Sequence, residues 1–490
     1  MIIYIKDHKF HYEIECLCRI FFPNEKFVIS KEDIDNSNKE YIFTQVIDTN
    51  LCKILRTKVK IGSIIKESES KINNDIEDLD RECERELSVL LYKILSEITG
   101  ICPPWGILTG IRPIKLFRNV VKEKGFEEAK RHFKNKFLVS DEKLSLTIKT
   151  EAEEEKILNL SKKESFSLYI SIPFCPSRCS YCSFVSQSIE KAQRLIPEYI
   201  VNLCKEIKYT AEIAKKLNLR LETVYIGGGT PTILSAEQLK IVISEIKSDF
   251  NFEFLREFTV EAGRPDTITK EKLDVLKEMN IDRISINPQT LNDDVLKNIG
   301  RKHSALQAIE AYELARKVGF PNINMDLIVG LPGDNLESFK SSLEKICSLD
   351  PENITVHTLC MKKASTITEQ GKVLQRQEAI EAKKMMSFAE KPLESNGYIP
   401  YYLYRQSRMV GNLENVGWAK PSKQGLYNVY VMDETHTILA CGASAVSKLK
   451  DYNSQKLERI FNYKFPYEYI SNFEEMIKRK NKVVEFYEKL

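Results

Sequence analysis

The stretch Ile170–Cys182 holds three cysteines, Cys175, Cys179 and Cys182, in the spacing C-x3-C-x2-C. Three clustered thiolates select soft metals, which means zinc or iron–sulfur. A structural zinc site wants a fourth Cys or His close by. None is there: the next cysteine is Cys204, inside an apparent helix, and the next histidine is His303. Three ligands on a four-iron cluster leave one iron open, and an open iron can bind a small molecule and act on it. Disulfides are a poor reading, because the twelve cysteines lie scattered without a paired framework, which suits a reducing cytosol. Three buried structural cysteines, or a zinc site, are the rival readings of the triad.

The rest of the chain narrows the class. At 490 residues it exceeds one ordinary core, so two or three domains are expected. With 42% hydrophobic and 29% charged residues it has the composition of a soluble globular protein. A net charge of +3 gives no global argument for nucleic acid as a partner. No run of about 18 apolar residues exists, so no membrane span is expected. The start, Met1–Asp7, has no apolar stretch long enough for a signal peptide, and a cytoplasmic protein is expected.

From about residue 165 short β-branched or apolar runs alternate with longer helical stretches. The runs are Ser167–Ile172, Thr223–Ile226, Glu257–Val260, Arg283–Ile286, Asn324–Val329 and Asn353–His357. Between them lie the amphipathic segments Ile196–Leu217, Ala236–Ser248, Lys270–Met279, Ala305–Val318 and Leu336–Ser348. Such alternation predicts an α/β fold with a parallel sheet, and six units suit a partial barrel with right-handed crossovers. Residues 1–163 read as an N-terminal α/β and helical extension, 164–397 as the barrel, and 398–490 as a small C-terminal α+β domain or lid. The extension carries a strong helix over Asp78–Ile98.

Polar and glycine-rich residues gather where each run ends. The cysteines follow the first run, and Gly227-Gly228-Gly229-Thr230-Pro231-Thr232 follows the second. Glu261 ends the third, Gln289 follows the fourth, and Asp326 lies in the fifth. In α/β barrels the C-terminal face of the strands holds the active site. Glycines let backbone come close to a ligand. Carboxylates there can accept hydrogen bonds from an ammonium or a hydroxyl, although loop salt bridges are their blander reading. Arg301 could clamp a carboxylate in bidentate fashion. His8, His11, His132 and His436 read as surface or structural; His303, just after Arg301, and His357, at a strand end, could approach the predicted site, but a structural role is the first reading of each.

C-x3-C-x2-C is similar to the signature of radical S-adenosylmethionine (SAM) enzymes. Leu168–Cys175, Tyr225–Thr232 and Asp326–Pro332 together resemble the oxygen-independent coproporphyrinogen III oxidase superfamily. Trp105–Pro113 and Gly411–Gly417 resemble one branch, the HemZ-type coproporphyrinogen dehydrogenase-like proteins. The resemblance spans nearly the whole chain. It implies a (β/α)6 radical SAM barrel with Cys175, Cys179 and Cys182 holding a [4Fe–4S] cluster. It implies that Tyr169, Gly228 and Glu261 touch the SAM on the cluster. Gly229, Thr230, Gln289, Arg301 and Asp326 match positions that hold a second SAM, and Tyr181 fills the aromatic place between the last two cysteines. Tyr169 and Arg301 stand as the catalytic candidates.

The implied reaction is oxidative decarboxylation of coproporphyrinogen III propionates to vinyls, giving protoporphyrinogen IX in haem biosynthesis. A reduced cluster passes an electron to SAM, and the resulting 5′-deoxyadenosyl radical takes a hydrogen atom from the substrate. Implied partners are a tetrapyrrole and a reductant such as flavodoxin or ferredoxin, with the chain acting as a monomer. The alternatives are a haem-binding chaperone of the same superfamily and a radical SAM enzyme on another tetrapyrrole. The chain departs from the family at Ser171, where members commonly carry a histidine, and this implies slower or altered turnover. It departs again at Phe184, where the oxidase has a further cysteine.

Overall fold

The computed structural model describes residues 1–35, 38–184, 186–362, 365, 376–454 and 456–489. The chain forms two compact units. The first contains Met1–Glu151, Tyr404–Glu414 and a short segment ending at Ile380. Its sheet has the strands β1 (Ile2–Lys6), β2 (Val28–Ser30), β3 (Glu40–Asp48), β4 (Cys52–Ile61) and β5 (Ile64–Asn73) in the order β2-β1-β3-β4-β5. The helices His11–Phe21 and Leu79–Thr99 pack on it through Ile14, Leu17, Leu87 and Leu91 against Ile3, Ile5, Leu55 and Val59. The second helix starts where the Asp78 side chain accepts from the Arg81 N–H at 3.2 Å. It stops at Gly100, whose φ of +67° suits glycine. At the edge, β5 carries Lys66, Glu67, Glu69 and Lys71, charges that discourage pairing with another chain.

The same unit brings two distant sequence motifs together. Trp105 is fully buried, and its indole Nε1 donates to Glu414 Oε2 at 2.7 Å. Lys143 Nζ lies 2.8 Å from Glu414 Oε1. Arg405 donates to the Leu108 carbonyl at 2.7 Å and stands 5.4 Å from the Trp105 ring centroid. Gly106 has φ +56°, and a Cβ there would fall 1.9 Å from the Phe137 carbonyl oxygen, so no other residue fits. In this unit the Trp105–Pro113 motif therefore does structural work.

The second unit holds an eleven-stranded sheet. Its parallel centre is β6 (Ser165–Ile172), β9 (Arg220–Gly228), β10 (Glu257–Glu261), β11 (Arg283–Gln289), β12 (Ile323–Val329) and β13 (Asn353–Thr358), adjacent in that order. These are the six runs expected from the sequence, each extended slightly. A short parallel pair, β7 (Phe174–Cys175) and β8 (Gln187–Ser188), flanks the cysteine loop. Helices follow the strands as expected, and several starts are chemically explicit. Ser235 with Gln238 and Ser304 with Gln307 form capping boxes, and Thr269 and Asn335 cap through their side chains.

Glu381–Leu403 and Asn415–Leu490 belong to the same compact unit as the parallel strands. The strands β14 (Ile399–Tyr404) and β15 (Asn415–Ala419) extend the sheet beyond β13, and β15 runs antiparallel to it. At the other end β16 (Thr437–Cys441) pairs parallel with β6, followed by the antiparallel β17 (Val446–Lys450) and β18 (Leu457–Phe461). Both flanks of the parallel centre had open backbone donors and acceptors, and these strands satisfy them.

The register sets the functional face. Tyr169 lies opposite Tyr225, Ser171 opposite Gly227, and Glu261 opposite Ser285, which faces Asn324 in turn. With side chains alternating along each strand, these residues share one face. Tyr169, Tyr225, Glu261 and Asp326 are half-buried there, while the neighbours Leu168, Ile226, Val260 and Leu327 are fully buried on the other.

Candidate active site at the strand ends

The cysteine loop leaves β6 and is anchored to the end of the fourth βα unit. Ser180 N–H donates to the Ile299 carbonyl at 3.0 Å, and Ser177 Oγ to the Gly300 carbonyl at 3.3 Å. The glycine run closes over the first cysteine. A Cβ on Gly229 would lie 2.6 Å from the Phe174 carbonyl oxygen and 3.0 Å from Cys175 Sγ. Thr230 Oγ1 donates to Cys175 Sγ at 3.5 Å. Gly228 has φ +104°, a conformation reserved in practice for glycine.

Burial pushes the Cys175 thiol up and the Cys182 thiol up to about 11, so a stable thiolate at either needs a bound metal to offset desolvation. Among the described residues no three His, Cys, Asp or Glu side chains converge on one ion. The three thiols instead share the wall of one pocket that is open to solvent. Three thiols with no fourth Cys and no His in that lining match a cluster with one open iron better than a four-ligand zinc site. The donor set fits the cluster.

The same pocket is lined by Tyr181, Gly229, Thr230, Glu261 and Arg301, all singled out from the sequence. Arg301 donates to the Tyr181 hydroxyl at 2.9 Å and to the Gly263 carbonyl at 3.5 Å. Tyr169, Gly228, Gln289 and Asp326 do not line it. Gln289 is buried at the end of β11 with φ +71°, and its Oε1 has no hydrogen-bond partner. Sequence reasoning passed over Arg264, which lines the wall together with Ser177, Arg178, Ser186, Gly263 and Asn287.

Next to the pocket lies a polar and aromatic face. The Tyr225 hydroxyl donates to Glu261 Oε1 at 2.5 Å. Burial pushes the Glu261 carboxyl up to about 7; that hydrogen bond pulls it down, and the nearby Asp326 charge adds to the rise. Tyr225 stacks on Tyr427 with ring centroids 4.4 Å apart, and Tyr169 lies 6.3 Å from both. Tyr427 arrives on the helix Leu426–Asp433, whose first N–H groups donate to Glu257 at 2.8 and 3.1 Å. Asp326 accepts from Asn324 at 2.7 Å and lies 3.6 Å from His357 Nε2. Burial alone would pull the His357 imidazolium down, but the Asp326 hydrogen bond and charge outweigh it, and its pKa lies above the ordinary value. Ser171 is only 3% exposed, and its Oγ stands 2.9 Å from where a Cβ on Gly228 would sit. His303 is buried with both ring nitrogens lacking hydrogen-bond partners.

The Radical SAM superfamily model matches residues 169–346. The oxygen-independent coproporphyrinogen-III oxidase-like protein HemZ of Bacillus subtilis is 36% identical over 489 residues, covering 98% of this chain and 97% of its own length. The heme chaperone HemW of the same organism is 42% identical over 197 residues, but that match covers 40% of this chain and 51% of the chaperone. Among solved structures, Escherichia coli coproporphyrinogen III oxidase (HemN), described as a radical SAM enzyme, superposes with a TM-score of 0.51 at 21% identity. The superposition covers 66% of this chain and 73% of that one. At that identity the likeness speaks for the fold: an α/β core shared with a radical SAM enzyme, with additional elements at both ends. Among the described residues no helix is long and apolar enough to cross a membrane. The chain belongs to the radical SAM superfamily and, within it, to the HemZ-type family of oxygen-independent coproporphyrinogen-III oxidase-like proteins.

Proposed function

We propose that this chain is a radical SAM decarboxylase that converts coproporphyrinogen III propionates to vinyls. The observation that carries the reading is the convergence of the three cysteines, the glycine run, Glu261 and Arg301 on one pocket at the ends of the parallel strands. The central sheet is a partial (β/α)6 barrel in this reading, with the polar face turned into its lumen. Cys175, Cys179 and Cys182 hold the [4Fe–4S] cluster. When bound, the cluster and SAM supply a carbon-centred radical that removes a hydrogen atom; the protein's part is orientation and exclusion of water.

Glu261 accepts the SAM ammonium, which restores the charge its burial opposes. Tyr169 and Gly228 border the same molecule. Gly229, Thr230, Gln289, Arg301 and Asp326 hold a second SAM; the unpartnered Gln289 Oε1 supports a ligand there. Arg301 offers its guanidinium to a carboxylate. The substrate loses one hydrogen atom, one carbon dioxide and one electron per vinyl formed, so an electron acceptor completes each turnover. A flavodoxin- or ferredoxin-like donor reduces the cluster, and the chain works as a cytoplasmic monomer.

The first test is the cofactor chemistry. Anaerobically reconstituted protein is expected to hold about four irons per triad with a visible charge-transfer band, and to release 5′-deoxyadenosine from SAM under dithionite. Cys179→Ala is expected to abolish both. A full cluster in that variant would show that the ligands are assigned wrongly.

A further inference from the structure

Arg264 lies in the loop after β10, three residues beyond Glu261, and is only 4% exposed. Its Nε and Nη2 hold Asp266 in a two-pronged contact, both bonds at 2.9 Å. Nη2 also reaches Ser177 Oγ at 3.3 Å. The remaining nitrogen, Nη1, donates to Cys179 Sγ at 3.4 Å. A loop ion pair alone would be satisfied by Asp266 at the surface. Here the pair is carried inward, and its free N–H is aimed at the middle cysteine of the triad.

An arginine cannot shed its proton in a protein, so this is a fixed positive charge. The planar fork gripped by Asp266 also fixes the direction of the third N–H. Donors to cluster sulfurs and nearby positive charge favour the reduced, more negative state of an iron–sulfur cluster. Asp266 offsets part of the Arg264 charge, and Glu261 is a second carboxylate on the pocket wall, so the effect is carried chiefly by the N–H aimed at Cys179 Sγ. Arg301 adds positive charge to the same pocket, and buried His303 is held neutral, its pKa brought down to about 4 by burial and by Arg301.

We propose that Arg264, held by Asp266, is a positioning residue that raises the reduction potential of the cluster through its hydrogen bond to Cys179. The inference rests on the cluster reading above. It needs neither SAM nor a substrate, so it is tested apart from activity.

The experiment is an EPR-monitored redox titration of reconstituted wild type, Arg264→Gln and Arg264→Lys, without SAM, beside iron determination and thermal melting. Arg264→Gln is expected to load the same iron and to be harder to reduce by tenfold or more, which is about 59 mV for one electron. Arg264→Lys keeps the charge but loses the fork, and a smaller shift in the same direction is expected. Should Arg264→Gln unfold, the lysine variant carries the test. A folded, iron-loaded variant with the wild-type midpoint overturns the proposal. So do two folded variants that hold no iron, because Arg264 would then build the cluster rather than tune it. Wild-type protein that takes up no cluster overturns the proposed function itself, and this inference with it.

Discussion

Glu261 is the residue where the physical cost of the site is easiest to measure. Its carboxyl titrates at about 7 in the fold against an ordinary 4.5, chiefly because it is buried. The native carboxyl keeps its proton over a range where the unfolded one has lost it. Unfolding free energy therefore falls as pH rises from about 4.5 to about 7 and levels off above, by roughly 3 kcal/mol at most. Glu261→Gln removes this slope, so the stability difference between variant and wild type is expected to grow in the variant's favour between pH 5 and pH 7.5 in urea unfolding. An unchanged difference would mean the carboxyl is not desolvated. Ser171 gives a second expectation. Packed against Gly228 with 3% exposure, it leaves little room for an imidazole. Ser171→His is expected to lose about 1–3 kcal/mol by overpacking, read as a lower melting temperature. Much of the site was legible because its residues sit in glycine- and cysteine-marked motifs at strand ends. Arg264 and Tyr427 were not, because an arginine or tyrosine is unremarkable until the fold sets it against a thiol or another ring.

At the scale of elements, the central strands could be read locally. Their apolar runs are bounded by capping residues such as Ser235, Ser304 and Asn335, so pattern and chemistry agree. The C-terminal strands carried no such signal. That β16 joins β6, with Thr437 opposite Phe166, is a pairing across the whole unit that no local pattern encodes. Two expectations belong here. A Cβ on Gly417 in β15 would fall 1.8 Å from the Tyr402 ring, so Gly417→Ala is expected to cost about 1–3 kcal/mol or more by overpacking. In the first unit, Lys143→Met leaves the Glu414 carboxylate buried without its ammonium and is expected to cost about 3–5 kcal/mol. Adding Glu414→Gln keeps an acceptor for Trp105 and removes the stranded charge, so the double variant should recover more than half of that loss. A strictly additive pair in urea unfolding would show that the two groups do not interact.

For the whole molecule, the oxidase-like relative matches from end to end, whereas the chaperone match covers 40% of the chain. The parallel sheet supplies the scaffold, the C-terminal strands finish its two flanks, and the helix Leu426–Asp433 brings Tyr427 against the polar face beside the pocket. The measurement that decides the account is anaerobic turnover of reconstituted protein with coproporphyrinogen III, SAM and a strong reductant, following carbon dioxide, 5′-deoxyadenosine and porphyrin products. The account expects carbon dioxide and vinyl-bearing product to appear together, each dependent on SAM and absent in Cys179→Ala. Stoichiometric haem binding with a shifted Soret band and no decarboxylation, from protein that carries a full cluster, would contradict it.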